Sequence, residues 1–289
     1  RKPAFGYRIS VWSMIAVVIL SSLVYGHHMF TTGLSPLLGE SFMLLTMIIS
    51  VPTSLLFLNW LGTLWRGAAR MHTPMLHCLG LVFTFGVGGL TGLYLADIVA
   101  DIYLHDTYFV VGHFHLIMAA AVLLAAFAGI TFWFPKMFGR MMSEPLGKLH
   151  FWLTIVTLNV VFVGQLALGY AGMQRRLYDP SAYEFLKHLL PWNRWISRAA
   201  YVLGAAQLVF VWNFFASLRR GKPAPANPWE VGTLEWTLPS PPPHHNFDEI
   251  PVVVRGPHEL GHPAARARGK DWLGQSEVLE AVDAVEGRS

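Results

Sequence analysis

Apolar residues in this chain gather into long runs that short polar segments separate. Six runs approach or reach the roughly 20 residues that a helix needs to cross a bilayer. Only helices or closed barrels can satisfy their backbone groups inside hydrocarbon, so runs of this length predict membrane-spanning helices. We place the predicted spans at Ile9–Tyr25, Phe42–Trp65, Met75–Ala96, Tyr108–Phe134, Phe151–Tyr170 and Ile196–Leu218.

Composition supports the same fold class. Of the 289 residues, 54% are hydrophobic and 13% are charged, and the charged share is about half that of an ordinary soluble domain. The mean hydropathy is +0.44. The single cysteine, Cys78, permits neither an intrachain disulfide nor a cysteine-ligated cluster. We therefore predict an all-α transmembrane helix bundle.

Lysine and arginine concentrate in alternate loops, which predicts the orientation of the bundle. Cytoplasmic loops of membrane proteins carry the excess of basic residues. The basic set, assigned to the cytoplasm together with both termini, is Arg1, Lys2, Arg8, Arg66, Arg70, Lys136, Arg140, Lys148, Arg219, Arg220 and Lys222. The opposite loops are acidic or mixed. The sequence pI of about 9.3 reflects this asymmetry, and the chain shows no pattern typical of nucleic-acid binding.

The character of the chain changes after residue 221. Residues 222–289 contain a proline-rich run near Pro239–Pro243, scattered charge and few apolar stretches. This composition favours an extended, irregular segment that is ordered only by lying on its neighbours. We predict a six-span membrane domain over residues 1–221 and a cytoplasmic tail over residues 222–289.

The segment His105–His115 places three histidines and an aspartate at the mouth of the fourth predicted span. Such side chains are costly at the edge of hydrocarbon unless they are paired or bind something. Each helical residue turns by about 100°, so His113 and His115 leave opposite faces of one helix. They cannot share a single metal and instead suit two cofactors, one on each side.

Three further sets of polar residues near the predicted span ends are candidate binding groups, and two of them also allow an ordinary structural interpretation. His27 and His28 follow the first span, where one copper, iron, zinc or nickel ion can recruit both imidazoles. His105 with Asp106 suits Mg²⁺ or Mn²⁺, but Asp106 equally suits the N-cap of a helix that begins near Thr107. The pair Arg175 and Arg176 indicates either ordinary loop charge or recognition of carboxylates.

Together these motifs resemble the catalytic subunit I of haem-copper oxidases, in the aa3-type cytochrome c oxidase branch. The resemblance extends over nearly the whole chain, including the part of the tail that is similar to bacterial members. The segments that carry it are Arg1–Tyr7, His27–Gly33, Phe85–Gly92, His105–His115, Trp133–Pro135, Gly172–Arg176 and Thr233–Pro243. It implies a multi-pass protein of the bacterial inner membrane.

The resemblance implies a role for each motif residue. His27 and His28 match ligands of the copper named CuB, His113 matches the axial ligand of a high-spin, a3-type haem, and His115 matches a ligand of a low-spin, a-type haem. The pair His105 and Asp106 matches a Mg²⁺ or Mn²⁺ site. Positions around the haem propionates are matched by Asp101, Tyr108, Arg175 and Arg176.

The resemblance covers the last six of twelve spans, VII to XII. It therefore implies that the third CuB histidine, its cross-linked tyrosine and the second low-spin haem ligand come from an N-terminal half, either a separate chain or a segment outside this sequence. Further implied partners are oxidase subunits II and III, a c-type cytochrome donor, membrane lipids and a respiratory supercomplex. Leu56 stands where the family usually has the lysine of a proton path, which puts proton pumping in question.

Three other functions compete with O₂ reduction. A nitric oxide reductase shares the six-histidine plan, but the His105–His115 segment looks like the oxidase branch. A redox-silent structural subunit accounts for Leu56 and the half-length match, yet it has no reason to retain four metal-binding histidines. A transporter with histidines facing the bundle predicts no haem.

Overall fold

The computed structural model describes residues 2–259 and 261–278. Arg1, counted above among the basic residues, and residues 279–289 of the predicted tail lie outside the described residues. Within the described ranges the regular structure is helical, and two isolated bridges join Thr107 to Gln174 and Arg140 to Pro223. The helices are α1 Tyr7–Leu23, α2 Pro36–Leu64, α3 Thr73–Ala96, α4 Ile98–Leu104, α5 Tyr108–Phe114, α6 Ala120–Phe138, α7 Glu144–Tyr170, α8 Leu190–Arg220 and α9 Pro263–Ala267.

All six predicted spans are confirmed as helical segments long and apolar enough to cross a membrane. Among the described residues these segments are Tyr7–Met29, Pro36–Leu64, Thr73–Ala96, Tyr108–Phe138, Glu144–Tyr170 and Glu184–Arg220. Several begin earlier than the apolar runs predict. Helix α2 starts at Pro36 because the Ser35 side chain accepts a hydrogen bond from the Leu38 amide and caps the helix. Proline at the first turn favours the same start.

The fourth span is continuous but changes its winding at the histidine motif. Helix α5 passes into a π-helical turn over His115–Ala119 before α6 begins. The Ala120 amide donates to the His115 carbonyl, five residues back. Single π turns inside α-helices are frequent at functional sites. Because of this turn, the side chains of α6 point in directions rotated from those that a regular continuation of α5 would give.

Helix α5 lies in the centre of the bundle between α3 and α7. At Gly169 of α7 a side chain is excluded, because an added Cβ would lie 1.8 Å from the Phe109 nitrogen. At Gly112 an added Cβ would lie 2.6 Å from the Phe162 carbonyl oxygen. These glycines bring α5 close to α7. The surrounding core consists of Leu104, Phe109, Leu116, Ala120, Leu124, Phe151, Ile155, Leu158 and Leu166.

The described part of the tail folds back onto one end of the bundle, which carries the loop 65–72 and the C-terminus of α6 and which we name the basic end. The buried Lys136 ammonium donates to the carbonyls of Ala226 at 3.0 Å, Leu238 at 2.6 Å and Pro239 at 3.3 Å. It also lies 5.0 Å from the centre of the Trp236 ring. One lysine therefore fastens the tail to the membrane helices. The division into two domains at residue 221 stays a prediction.

We expect Lys136→Met to loosen this tail. The substitution keeps the length of the side chain but leaves three carbonyls without their charged donor, at about 1–3 kcal/mol for such buried groups. Trypsin should then cut after Arg255 about tenfold faster, because local opening controls cleavage. Lys148→Met is the matched control, since Lys148 is exposed and lies 3.9 Å from Glu144. Equal cleavage of the two variants would show that Lys136 does not hold the tail.

Candidate functional site

The histidines of the candidate site lie at the end of the bundle opposite the basic end, which we name the histidine end. Four elements meet there: the 3₁₀ turn Tyr25–Met29, the C-terminus of α3, helix α4 and the N-terminus of α5. Electrostatic interactions link His28 to Asp101 and to Arg175, and His27 to His113. The residues predicted from separate motifs therefore belong to one region.

His27 and His28 present their Nε2 atoms to each other at 3.1 Å. Two nitrogen ligands with bonds of about 2.0–2.1 Å to one ion are this far apart when the angle at the ion is roughly 100°. The His27 Nδ1 atom lies 3.2 Å from the Thr46 hydroxyl, which itself donates to the Phe42 carbonyl at 2.6 Å. The proton between them is therefore on Nδ1, and the lone pair of His27 is on Nε2.

His113 points towards α3. Its Nδ1 atom lies 2.9 Å from the Gly88 carbonyl and 3.0 Å from the Thr91 hydroxyl. The hydroxyl donates to the same carbonyl at 2.6 Å, so Nδ1 carries the hydrogen and Nε2 is left as a ligand atom. Gly92 makes room for the ring, because an added Cβ there would lie 2.9 Å from His113 Cε1.

His115 points towards α7. Its Nδ1–H donates to the Val111 carbonyl at 2.8 Å, which again leaves Nε2 as the free ligand atom. The imidazole stacks on Phe162 with ring centres 4.6 Å apart and an interplanar angle of 15°. His113 and His115 thus contact different neighbouring helices, as the 200° separation on one helix predicts.

The buried Asp101 pairs with the half-buried His105, one helical turn further along. His105 Nδ1 lies 2.8 Å from Asp101 Oδ2, and Asp101 is 3% exposed. Burial raises the pKa of the Asp101 carboxyl, because it disfavours the charged form, while the His105 hydrogen bond acts in the opposite direction. The pair leaves His105 Nε2 available as a ligand atom.

Asp106 does not cap the helix, so that interpretation of the motif is wrong. Thr107 is the N-cap of α5, and its hydroxyl accepts from the Phe109 amide at 3.2 Å. Asp106 adopts a left-handed backbone with φ 55° and receives the Arg175 Nε–H at 2.6 Å. The Arg175 guanidinium holds the pKa of Asp106 below its usual range. Within the described structure the partner of this carboxylate is an arginine rather than His105.

The remaining predicted residues lie beside this ion pair. Arg176 is 75% exposed, with its Nη1 atom 3.9 Å from Asp106 Oδ1. Tyr108 is half-buried, and its amide donates to the Met173 carbonyl at 2.9 Å, which ties the start of α5 to the loop that carries both arginines. This loop therefore holds a cluster of fixed positive charge at the histidine end.

Sequence reasoning missed the side chains that orient the histidines. Thr46, Thr91 and Phe162 lie on other helices than the histidines they contact, and no local sequence pattern predicts these contacts. The Asp101–His105 pair had a readable signal, since residues four apart on a helix are neighbours. No three His, Cys, Asp or Glu side chains within residues 2–259 and 261–278 come close enough together to hold a metal ion. A copper at His27 and His28 would need further ligands from elsewhere.

A family model described as "Cytochrome C and Quinol oxidase polypeptide I" matches residues 1–222. The chain is 46% identical over 263 residues to a cytochrome c oxidase subunit 1 of Synechocystis, covering 90% of this chain and 46% of the relative. It is 44% identical over 255 residues to that of Cereibacter sphaeroides, covering 87% and 44%. The chain thus spans about half the length of these curated relatives.

Two further similarities agree. An alternative cytochrome c oxidase subunit 1 of Bradyrhizobium diazoefficiens is 39% identical over 282 residues, covering 96% of this chain and 47% of the relative. The cryo-EM structure of a haem-copper terminal oxidase dimer matches with a TM-score of 0.68 at 17% identity, over 76% of this chain and 44% of that one. The structural match supports the fold alone.

Proposed function

Because the chain belongs to the family of cytochrome c and quinol oxidase polypeptide I, we propose that it forms part of the catalytic subunit of a terminal cytochrome c oxidase that reduces O₂ to water. One observation carries the proposal. Three histidines at one end of the bundle, His27, His113 and His115, engage Nδ1 with protein oxygens, so that Nε2 is the atom of each ring that can bind a metal. Imidazoles oriented in this way are typical of ligands to haem iron and copper.

The proposed ligand assignments follow the direction in which each ring points. His27 and His28, with their paired Nε2 atoms, would hold CuB. His113, on the α3 side, would hold the iron of a high-spin, a3-type haem. His115, on the α7 side, would hold a low-spin, a-type haem. When bound, these centres supply the electron transfer to O₂, with electrons from a c-type cytochrome.

The protein side chains tune these ligands. The Gly88 carbonyl accepts the His113 Nδ1–H at 2.9 Å, which increases the basicity of the opposite nitrogen and fixes its ring. Phe162 restricts rotation of His115 by stacking. The hydrogen bond to Thr46 has the same effect on His27. Each of these contacts comes from a different helix, so the bundle itself preorganises the site.

The acidic and basic groups around the site have a second proposed role. His105 and Asp106, with Asp101 behind His105, would hold Mg²⁺ or Mn²⁺, for which carboxylate and imidazole donors are suited. The fixed charges of Arg175 and Arg176, with Tyr108, would face the haem propionates. Because Arg175 already donates to Asp106, the propionate and metal positions share one charge network.

The proposed assembly includes protein beyond this sequence. An N-terminal half of subunit I would supply the remaining copper and haem ligands, and subunits II and III would complete the oxidase in a bacterial inner membrane or a supercomplex. The basic end and both termini would be cytoplasmic. Leu56 cannot carry a proton, and the Thr53 hydroxyl donates to its own helix at Ile49, at 2.9 Å. Protons for O₂ reduction would therefore use other groups.

The test is a reduced-minus-oxidised optical spectrum, with and without CO, of the complex purified gently through a tag on this chain. We expect two A-type haem signals, of which CO shifts one. An intact, folded preparation without haem absorbance would refute the catalytic proposal and leave the chain as a structural subunit.

Gly92 faces the His113 ring and Gly89, on the same helix, faces open space, so the two glycines allow a prediction with a matched control. Gly92→Ala places a Cβ 2.9 Å from His113 Cε1, whereas Gly89→Ala meets nothing within 4 Å. Both changes raise helix propensity by about 1 kcal/mol. We expect only Gly92→Ala to shift the CO-difference band and to reduce O₂ consumption, by about tenfold, because the ligand ring must tilt. Identical spectra for the two variants would contradict this packing role for Gly92.

A further inference from the structure

Helix α8 carries two arginines, Arg194 and Arg198, in its first turns, which lie at the histidine end of the bundle. Four positions separate them, so they share one face of the helix, with Cβ atoms about 5–6 Å apart. Both side chains are exposed. The pair is separate from the ion pair of Arg175 with Asp106 and has no part in the proposed oxidase chemistry.

Helix α8 is longer than the hydrocarbon layer is thick. Its 31 residues extend over roughly 46 Å, against about 30 Å of hydrocarbon. The uncharged stretch 199–218 has the required length, and it begins directly after Arg198. Trp192, Trp195 and Tyr201 are exposed around this point, as in the aromatic belt at a membrane interface. Both guanidinium groups therefore lie at the level of the lipid head groups.

The two guanidinium groups have no carboxylate partner within the described residues. The Arg198 guanidinium lies 4.9 Å from the centre of the Trp195 ring, a contact that positions it without using its N–H donors. Helix α8 contains no Asp or Glu. In the loop before it, Glu184 pairs with Lys187 at 2.5 Å, and Asp179 accepts from an amide and a hydroxyl of the following turn. The carboxylates of that loop are engaged, so the arginine pair suits an anion from outside the chain.

An exposed stripe of α8 leads from the arginines towards the middle of the bilayer. Tyr201, Ala205, Leu208 and Trp212 follow at alternating spacings of four and three, which keeps them on one face. Tyr201 is 80% exposed, and Leu208 and Trp212 are each 68% exposed. Leu208 lies roughly 15 Å along the helix from Arg198. This is about half the hydrocarbon thickness, and thus the depth that the acyl chains of one leaflet reach.

The stripe ends in an open groove of about 550 Å³ between α7 and α8. Leu149 of α7 and Leu208, Trp212 and Phe215 of α8 line it, and all of its lining residues are hydrophobic. Helices that pack together in membranes approach closely through small residues. Large side chains that leave a groove between them instead fit a flexible acyl chain. The shape of this surface favours a lipid over a further helix.

We propose that this face of α8 binds an anionic phospholipid from the leaflet at the histidine end. The phosphate pairs with Arg194 and Arg198, whose planar guanidinium groups suit bidentate contacts to phosphate. One acyl chain lies along Tyr201 and Ala205 and ends in the groove at Leu208. Two positive charges on a helix without a carboxylate favour a lipid of net negative charge over a zwitterionic one. The site is independent of the proposed oxidase function.

The experiment uses the intact complex, purified through a tag on this chain and placed in phosphatidylcholine nanodiscs. Two trace probes carry a diazirine at the same mid-chain position, one a phosphatidylglycerol and the other a phosphatidylcholine, and peptide mass spectrometry locates the label. We expect the phosphatidylglycerol to label residues 199–208 about tenfold more than the phosphatidylcholine, with competition by unlabelled phosphatidylglycerol. Equal labelling by both probes would overturn the proposal. Labelling by neither would also overturn it, because a polypeptide would then cover the stripe.

The arginines are tested by a double substitution. Arg194→Gln with Arg198→Gln should lower labelling of residues 199–208 by phosphatidylglycerol to the level of phosphatidylcholine. Arg219→Gln with Arg220→Gln is the matched control, since this pair is also exposed but lies at the other end of the same helix. It should leave that labelling unchanged. Undiminished labelling in the first variant would show that the arginines do not bind the head group.

The path of the acyl chain is tested separately, in a form that leaves the arginines intact. Ala205→Trp places a large side chain on the stripe and should reduce the phosphatidylglycerol label about tenfold. Ala200→Trp is the matched control, because Ala200 is exposed as well but lies about 120° around the helix from Ala205. Equal loss of label in the two variants would contradict a lipid site on this face.

Discussion

His113→Leu should abolish the CO-induced change in the reduced spectrum of the complex while the low-spin haem signal remains. His115→Leu should remove the low-spin signal and leave a CO-reactive haem. The two residues contact different helices, with His113 bonded to Gly88 of α3 and His115 stacked on Phe162 of α7. Leucine conserves much of the volume but has no ligand atom. O₂ consumption should fall by at least about 100-fold in both, since changes beyond the direct ligands already cost 10–100-fold.

His150→Leu is the matched control for this pair. His150 is a buried imidazole, whereas His113 and His115 are half-buried, and its Nε2 atom lies 3.1 Å from Gln207 rather than in the site. Both haem signals should remain in this variant. If His113→Leu and His115→Leu removed the same haem signal, the assignment of two cofactors to two faces of α5 would be wrong.

The membrane spans could be predicted from the sequence because hydrocarbon thickness demands a minimum apolar length. The helix starts could not, since the first turns of α2 and α7 precede the long apolar runs. Helix α7 begins at Glu144, ahead of the apolar run from Phe151. Capping groups and proline at the first turn decide these starts, and they give no signal in the apolar pattern.

The site was predictable where the chemistry is local. The spacing of His113 and His115 sets their opposite faces whatever the rest of the fold. Asp106 shows the limit of such reasoning, since Asp and Thr are both good N-caps and the two are adjacent. Arg175 decides between them by pairing with Asp106, and it lies far along the chain. The hydroxyls of Thr46 and Thr91 orient the histidines through similarly distant contacts.

His27→Ala should remove copper from the complex while leaving the iron content unchanged, and Thr46→Val should weaken copper binding without abolishing it. The first change deletes one of two Nε2 atoms that lie 3.1 Å apart. The second keeps the ring but removes the acceptor of its Nδ1–H at 3.2 Å. Loss of an outer-shell hydrogen bond typically costs 10–100-fold in metal affinity, so a copper chelator should strip Thr46→Val at about 10–100-fold lower concentration.

The matched control for this series is Thr32→Val, because Thr32 follows the same 3₁₀ turn and its hydroxyl donates only to the Met29 carbonyl, at 2.8 Å. Elemental analysis of copper and iron, with chelator titration, should place Thr32→Val with the unmodified protein. Copper retention should increase in the order His27→Ala, Thr46→Val, Thr32→Val. This order is expected if His27 is a ligand, Thr46 orients that ligand and Thr32 has no role in the site. Unchanged copper in His27→Ala would remove the histidine pair from the metal centre, because a ligand supplying one of few donors cannot be lost without effect.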